Sequence, residues 1–380
     1  MSVNDKGPPP RQRALDELIR AQRLDALVTC SYESLCYFAL TDIQSQVLLP
    51  DRLALFIAVR DAPPSLLVCN IEESQVRSQT PIEDIRCYVE FADDPGVSLA
   101  ELLRSRGIVS GRVGIEGRRF PAVAVRTLER ELRTIDFVAI DSSLEAAQMM
   151  KDERQIAVLT HGARALLRAL DGAIESLLAG STEMEYASEI LVQIARAGGM
   201  PIFLVFAAGQ RTTLGHPDPH HRAMEPGSIW RTDFGARFTG GLKADVARTG
   251  VVGEASMEQR EIFAHIRAIQ DAIVAMIEPD RPARELYETA LREFARANLP
   301  FTMPHVGHGI GVGLHEPPLL EPANATPLKP GMVLNVEPLT VLENRGEGYH
   351  TEDLVVVTDG GHQWLTEPQQ ELLLIPAEQG

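Results

Sequence analysis

Positive charge is in short supply: 36 Lys and Arg stand against 53 Asp and Glu, a formal net charge of −17. Nucleic acid and anionic membrane surfaces both reward Lys and Arg, so neither is expected as a partner. No uninterrupted apolar run reaches the roughly 18 residues that a membrane-spanning helix needs. The stretch from Met1 to Arg13 is polar and holds no apolar core of a secretory leader. CxxC spacing is missing as well. The four cysteines, Cys30, Cys36, Cys69 and Cys87, fall in the first quarter of the chain. They are expected to be reduced thiols, most of them buried, in a cytoplasmic protein. A metal site later in the chain is left with oxygen and nitrogen donors only.

What is present is ample apolar mass. Over 380 residues, 44% are hydrophobic and 23% charged, which fits a globular chain with two cores. Residues 12–150 alternate helix and strand signals. Ala14, Leu15, Leu18 and Ile19 make a helical stripe, and LDALVTC, QVLLP, RLALFIAV and SLLVC read as strands. LAELLRSRG reads as a helix closed by Gly107, and VGIEG, VAVRTLERELR and DFVAID continue as strand, helix and strand. A boundary falls near Met150, because Asp152 with Gln155 three residues on forms a capping box that opens a long helix.

Residues 151–380 carry a rhythm that occurs twice. Helices at about 153–178 and 182–197, the second capped by Ser181 and ended at Gly198-Gly199, precede strands and turns over 202–253. Helices at about 257–277 and 283–298, split by Pro279-Asp280-Arg281-Pro282, precede strands over 305–375. Two helices then a sheet, twice over, predicts two related halves whose sheets pack together under a cover of helices.

Chemistry concentrates in that second region. WRTDFGARFTGGLKADVARTGVV places Asp233 and Asp245 equidistant from Thr239, so a tight hairpin there sets the two carboxylates side by side. GMVLNVEPLTVLENRGEGYHTEDLVVV places Glu337 and Glu352 equidistant from the Asn344–Arg345 link. Glu337 and Glu352 stand among strand-forming apolar residues, where an unpaired carboxylate is costly to bury, and two half-buried acid pairs with no accompanying Lys or Arg cluster need cations. A pair of divalent ions answers that need. The imidazole of such an oxygen-rich set is expected from PHVGHGIGVGLHEPP, with His308 as ligand and the glycines letting the backbone pass close to the site. His315, and His216 in GQRTTLGHPDP, remain to contact substrate or developing charge.

At these residues the chain resembles the pita-bread metallopeptidases: Xaa-Pro aminopeptidases, Xaa-Pro dipeptidases, methionine aminopeptidases and the non-peptidase creatinase. The family's ligand order Asp, Asp, His, Glu, Glu falls on Asp233, Asp245, His308, Glu337 and Glu352. His216, Pro219 and Arg222 match its His-x-x-Pro-x-x-Arg stretch, and Gly307 to Pro318 match its Gly-His-Gly-Ile-Gly…His-Glu-x-Pro stretch. SYESLCYFALT stands where relatives carry an Asn-x-x-Tyr-Leu-Thr-like run. The resemblance covers nearly the whole chain and implies an α+β protein. A creatinase-type N-terminal α/β domain over 12–150 would precede a pita-bread domain over 151–380, a duplicated helix pair plus antiparallel sheet. It also implies two divalent ions (Mn, Co or Zn), a homodimer, and hydrolysis of a C–N bond. Glu337 would shuttle the proton to the leaving nitrogen, and His216 and His315 would hydrogen-bond the substrate carbonyl or its oxyanion.

Departures from the family pattern gather around the substrate. The Asp233–Asp245 spacing is one residue longer than usual, which a β-bulge would absorb. Asp-x-Thr-Arg-Thr reads Asp245-Val-Ala247-Arg248-Thr249. A frequent His four residues before the ligand His is Pro304, with His305 one step off, and a frequent Arg near the last Glu is His350; His305 and His350 are expected to touch substrate. Glu-Pro-Gly is Glu337-Pro338-Leu339, and an Arg that grips the carboxylate of dipeptides is Leu319, unless Arg237 or Arg345 reaches in. The expected function is an Xaa-Pro peptidase acting on small peptides. The alternatives are hydrolysis of a non-peptide amide or amidine on the same scaffold, as in creatinase or ectoine-hydrolase-like relatives, or a binding protein without catalysis.

Overall fold

A computed structural model describes residues 10–49, 52–177 and 180–377, which divide into two compact units meeting between Gln148 and Met149. The polar run from Met1 through Pro9 and residue 178, the expected end of the first long helix, lie outside the described residues.

The first unit is one mixed sheet with helices. Its strands are β1 (Ala26–Thr29), β2 (Leu55–Val59), β3 (Ser65–Cys69), β4 (Asp84–Tyr88), β5 (Gly111–Ile115) and β6 (Ile135–Ala139), in the order β4-β3-β2-β1-β5-β6. β2 runs antiparallel to both neighbours, and the remaining pairs are parallel. Besides short helical turns at Tyr32–Ser34, Leu35–Ala39 and Asn70–Glu72, its helices are α1 (Pro10–Ala21), α2 (Gln44–Leu48), α3 (Glu73–Gln79), α4 (Pro95–Ser105), α5 (Ala122–Glu131) and α6 (Asp141–Gln148). Val28, Leu55, Leu67, Leu99, Val113 and Leu128 share its core. α4 ends as its sequence predicts, with Gly107 at φ +79 just past the last turn. QVLLP is a correction: it lies mostly in α2, with Val47 and Leu48 exposed, so its apolar run faces outward instead of filling a sheet. The cysteines are free, with Cys30, Cys36 and Cys69 buried and Cys87 exposed.

The second unit opens with α7 (Glu153–Ser176), whose N-terminus carries the Asp152/Gln155 capping box. α8 (Glu183–Arg196) is capped by Thr182, not Ser181; its hydroxyl and Glu185 form the reciprocal pair that Ser181, one residue early, has no partner to make. Strands β7 (Met200–Ala208), β8 (Ile229–Arg237) and β9 (Lys243–Val252) follow, then α9 (Met257–Val274) and α10 (Ala283–Arg296). The chain continues through β10 (Gly307–Gly309), β11 (Val333–Val336), β12 (Leu339–Leu342), β13 (Glu347–His350), β14 (Asp353–Thr358), β15 (Gly361–Trp364) and β16 (Leu373–Ile375). One sheet is ordered β16-β9-β8-β7 and another β10-β11-β14-β15, with β12-β13 a separate ribbon. The two helix pairs and two sheets are the expected α+β doubled plan.

Period-two patterning fixes which residues face the site. Along β8, Trp230, Thr232, Phe234 and Ala236 are fully buried on one face, so Arg231, Asp233 and Gly235 stand on the other. Gly250, paired with Trp230, has no room for a Cβ, which would lie 2.3 Å from the indole. An isolated bridge between Ala247 and Glu352 stitches the two sheets together, and the Glu352 amide donates to the Ala247 carbonyl at 3.1 Å.

Candidate metal centre

That bridge assembles the acids. β8 and β9 pair Asp233 with Ala247 and Gly235 with Asp245. The two aspartates therefore share a face but stand diagonally, two residues out of direct register. The connection is a one-turn 3₁₀ segment at Thr239–Gly241 with Gly240 and Gly241 both at φ +76, not a tight hairpin centred on Thr239. This turn takes up the long Asp–Asp spacing. No β-bulge does so, and the irregularity in this sheet lies between β7 and β8 at Pro201/Phe203. On the other side, Val336 pairs with Asp353 and Leu339 with His350, and these registers bracket Glu337 and Glu352 as opposites. His308 comes from β10, opposite Asn335 of β11.

The side chains converge. His308 Nε2 lies 3.5 Å from Glu337 Oε1 and 3.6 Å from Glu352 Oε1. Ligand atoms of Asp245, His308 and His315 fall within 4.8 Å of one another, as do those of Asp233, His350 and Glu352, and those of His308, Glu337 and Glu352. The His308 Nδ1 atom is 3.0 Å from the Gly309 carbonyl, which places the ring proton on Nδ1 and leaves the Nε2 lone pair open. Nε2 of His308 and Oδ1 of Asp245 are buried with no hydrogen-bond partner.

Electrostatics set this cluster apart from an ordinary buried network. Burial and the neighbouring Asp233 and Glu337 hold the Asp245 carboxyl well above the usual carboxylate range. Glu352 is likewise pushed up by burial, Asp245 and Glu337. Burial also raises Asp233, with His350 opposing. Burial opposes ionisation of Glu337 too, but its contacts with His305 and His350 win and hold it low. Burial drives His308 down to about 4, a neutral imidazole at physiological pH. The contrast is Asp353, one residue beyond Glu352. It is fully buried but compensated by Arg248 at 2.7 Å, the Thr366 hydroxyl at 2.8 Å and Gln270 at 3.1 Å. Four clustered carboxylates without such a cation fit divalent metal ions, which supply the missing positive charge.

A cavity of about 550 Å³ opens over the acids, lined by His216, His305 and His315 together with Phe203, Met303 and Leu314. His315 stacks on His308 with centroids 3.9 Å apart. His305 Nδ1 sits 3.3 Å from Glu337 Oε1. His350 does not line the cavity: it is buried behind the acids, with Nε2 3.7 Å from Glu337 and Nδ1 3.9 Å from Asp233. Arg345 does not reach in, being bound to Glu258 and Glu347, and Arg237 is not among the lining residues. The glycines of the His308 loop serve a different end from the expected one. A Cβ on Gly309 would lie 2.4 Å from the Pro317 carbonyl, and one on Gly311 2.6 Å from Glu316, so they let the loop fold back on itself. Lys151, buried, pairs with Glu316 and fixes that fold.

Three supporting residues stand behind the site, and only Thr249 of them falls in a sequence motif. Asn335 donates to Glu352 Oε1 at 2.6 Å, Thr249 holds the His350 main chain through its hydroxyl, and Arg231 braces the run leading to His216. Each depends on a partner distant in sequence.

The model described as metallopeptidase family M24 matches residues 157–359, and that described as the creatinase/prolidase N-terminal domain matches residues 11–150. An Xaa-Pro dipeptidase of Pyrococcus furiosus is 29% identical over 69% of this chain and 75% of its own. A probable dipeptidase PepE of Mycobacterium bovis is 26% identical over 92% of each. Among solved structures, an X-Pro aminopeptidase of Thermotoga maritima superposes with a TM-score of 0.85 at 22% identity, covering 96% of this chain and 99% of that one. The dipeptidase PepE of Mycobacterium ulcerans gives 0.84 at 24% identity, covering 97% of each. These likenesses show the pita-bread fold behind a creatinase-type N-terminal domain. The chain belongs to metallopeptidase family M24 and is a metal-dependent hydrolase of that family.

Proposed function

We propose that this hydrolase is an Xaa-Pro peptidase acting on small peptides, with two divalent ions held by Asp233, Asp245, His308, Glu337 and Glu352. The observation that carries the reading is the uncompensated cluster itself: four converging carboxylates and an open imidazole lone pair beneath a cavity of about 550 Å³. The relatives named as dipeptidases and aminopeptidase support a peptide substrate over a non-peptide amide. Complete retention of the five donors speaks against a binding protein without catalysis.

Bound ions supply Lewis acidity and an activated water. Everything else falls to the chain. Glu337, ionised and facing the cavity, takes the proton from the attacking water and passes it to the leaving nitrogen. His216 and His315 at the rim orient the scissile carbonyl and donate to the charge that develops on it. His305 borders the cavity beside Glu337 and contacts substrate, while His350 acts on Asp233 and Glu337 from behind. The apolar walls at Phe203, Met303 and Leu314 hold the ring of the proline and exclude water.

The oxygen-rich donor set with one imidazole favours Mn or Co, with Zn the third choice. Four free thiols fit a cytoplasmic protein, and the resemblance to two-domain relatives supports a homodimer. Release of the N-terminal residue from Ala-Pro and from a longer Xaa-Pro peptide by the Mn- or Co-loaded protein tests the reading. A metal-loaded protein inert toward every proline peptide contradicts it.

A further inference from the structure

His216 is an exposed side chain on a short run that would be free to move if nothing held it. Two buried residues hold it. Arg231 stands on the same face of β8 as Asp233 and is 1% exposed. Its Nε donates to the Thr212 carbonyl at 2.9 Å, and its Nη2 donates to the Gly215 carbonyl at 2.7 Å and to that of Leu214. Burying a guanidinium is costly, and these contacts are main-chain carbonyls of three of the four residues that lead into His216. Thr212, fully buried, is the second element. Its hydroxyl donates to the Gly209 carbonyl at 2.6 Å and accepts from the Gly348 amide at 2.8 Å. Gly348 lies on β13, two residues before His350, and a Cβ there would sit 2.2 Å from the Thr212 carbonyl. The run is therefore pinned between the strand that carries Asp233 and the strand that ends in His350.

We propose that Arg231 and Thr212 form a clasp that sets His216 at the cavity rim, making both positioning residues for the reaction. The clasp rests on the reading of His216 as a substrate-facing group. It explains why an arginine is buried here: the planar fork reaches several carbonyls at once, which a lysine ammonium on a flexible stem does not reproduce.

Amide hydrogen exchange on the full chain, with Thr212→Val and Arg231→Lys as mild variants, reads the clasp without relying on activity. Exchange over 209–216 is expected to rise about tenfold or more in both, while β8 and β9 keep their protection and His216→Ala leaves exchange unchanged. Activity gives a second reading: kcat of Arg231→Lys should fall with that of His216→Ala, and the double variant should lose little beyond His216→Ala. Wild-type exchange over 209–216 in both variants overturns the clasp, and so do losses that multiply in the double variant. A wild-type protein inert on proline peptides refutes the peptidase reading instead, and exchange still decides the clasp.

Discussion

Asn335 stands directly across the β10–β11 ladder from His308 and donates its side-chain amide to Glu352 Oε1 at 2.6 Å. One fully buried residue thus orients a carboxylate of the cluster next to the imidazole that faces it. Groups that hold metal ligands in place typically contribute about 10–100-fold in affinity or activity. Asn335→Ala is expected to weaken Mn binding by roughly that factor, measured by calorimetry on chelator-treated protein. Unchanged affinity in a folded variant removes Asn335 from the account.

Glu337 is the carboxylate that the surrounding imidazoles keep ionised, and it faces the cavity. Glu337→Gln keeps shape and one oxygen donor but cannot carry a proton. Turnover of an Xaa-Pro peptide should fall by about 10²–10⁴-fold, with a thermal midpoint close to wild type. Activity within a few-fold of wild type would assign the proton transfer elsewhere.

Lys151 and Glu316 form a buried pair that fixes the return of the His308 loop. Removing one partner leaves the other charge buried alone, at a cost of about 3–5 kcal/mol. Lys151→Met should lose stability of that order in urea titration. Lys151→Met/Glu316→Gln should regain at least half, because glutamine still accepts from the Gly313 amide that Glu316 binds at 3.0 Å. A double variant as unstable as the single one contradicts the charge argument.

Asp245 and Glu352 are raised well above the usual carboxylate range in the folded, metal-free chain. Between the ordinary and the raised values the folded state binds more protons than the unfolded one. These two groups therefore make stability fall as pH rises through that window, and their penalty is full once both are ionised. Chelator-treated Asp245→Asn should be more stable than chelator-treated wild type at pH 7.5, with the gap narrowing toward pH 5. Urea midpoints at the two pH values check this. A variant less stable than wild type at both contradicts mutual repulsion among the acids.

Much of this site can be read in the sequence because its chemistry conflicts with its surroundings. Asp233, Asp245, Glu337 and Glu352 are acids in strand-forming apolar runs, and burial without a cation is costly whatever the topology. The Glu337–Glu352 pairing follows from spacing alone, since the ladder on either side keeps one register. The Asp233–Asp245 pairing does not, because a 3₁₀ turn shifts the register by two and the shared face survives only through the period of the strand. Arg231 and Asn335 are silent, and the motif residue Thr249 hides its contact, for a different reason: each acts through a partner brought near by the sheets. His350 reads as substrate-facing because it stands where relatives often carry an Arg near the last Glu, yet its main chain is tied to Thr249 of β9 and its ring is buried against Asp233 and Glu337. QVLLP shows the same limit, since an apolar run as short as Val47-Leu48-Leu49 cannot tell an exposed helical turn from a strand.

The central claim is that the converging acids and His308 hold two ions. Titration of Mn into chelator-treated protein by calorimetry, alongside Asp245→Asn and His308→Ala, tests it most directly. The account predicts about two ions per wild-type chain, with stoichiometry or affinity sharply reduced in both variants while their folds persist. Wild-type protein that binds no divalent ion, or variants that bind as wild type does, would contradict it.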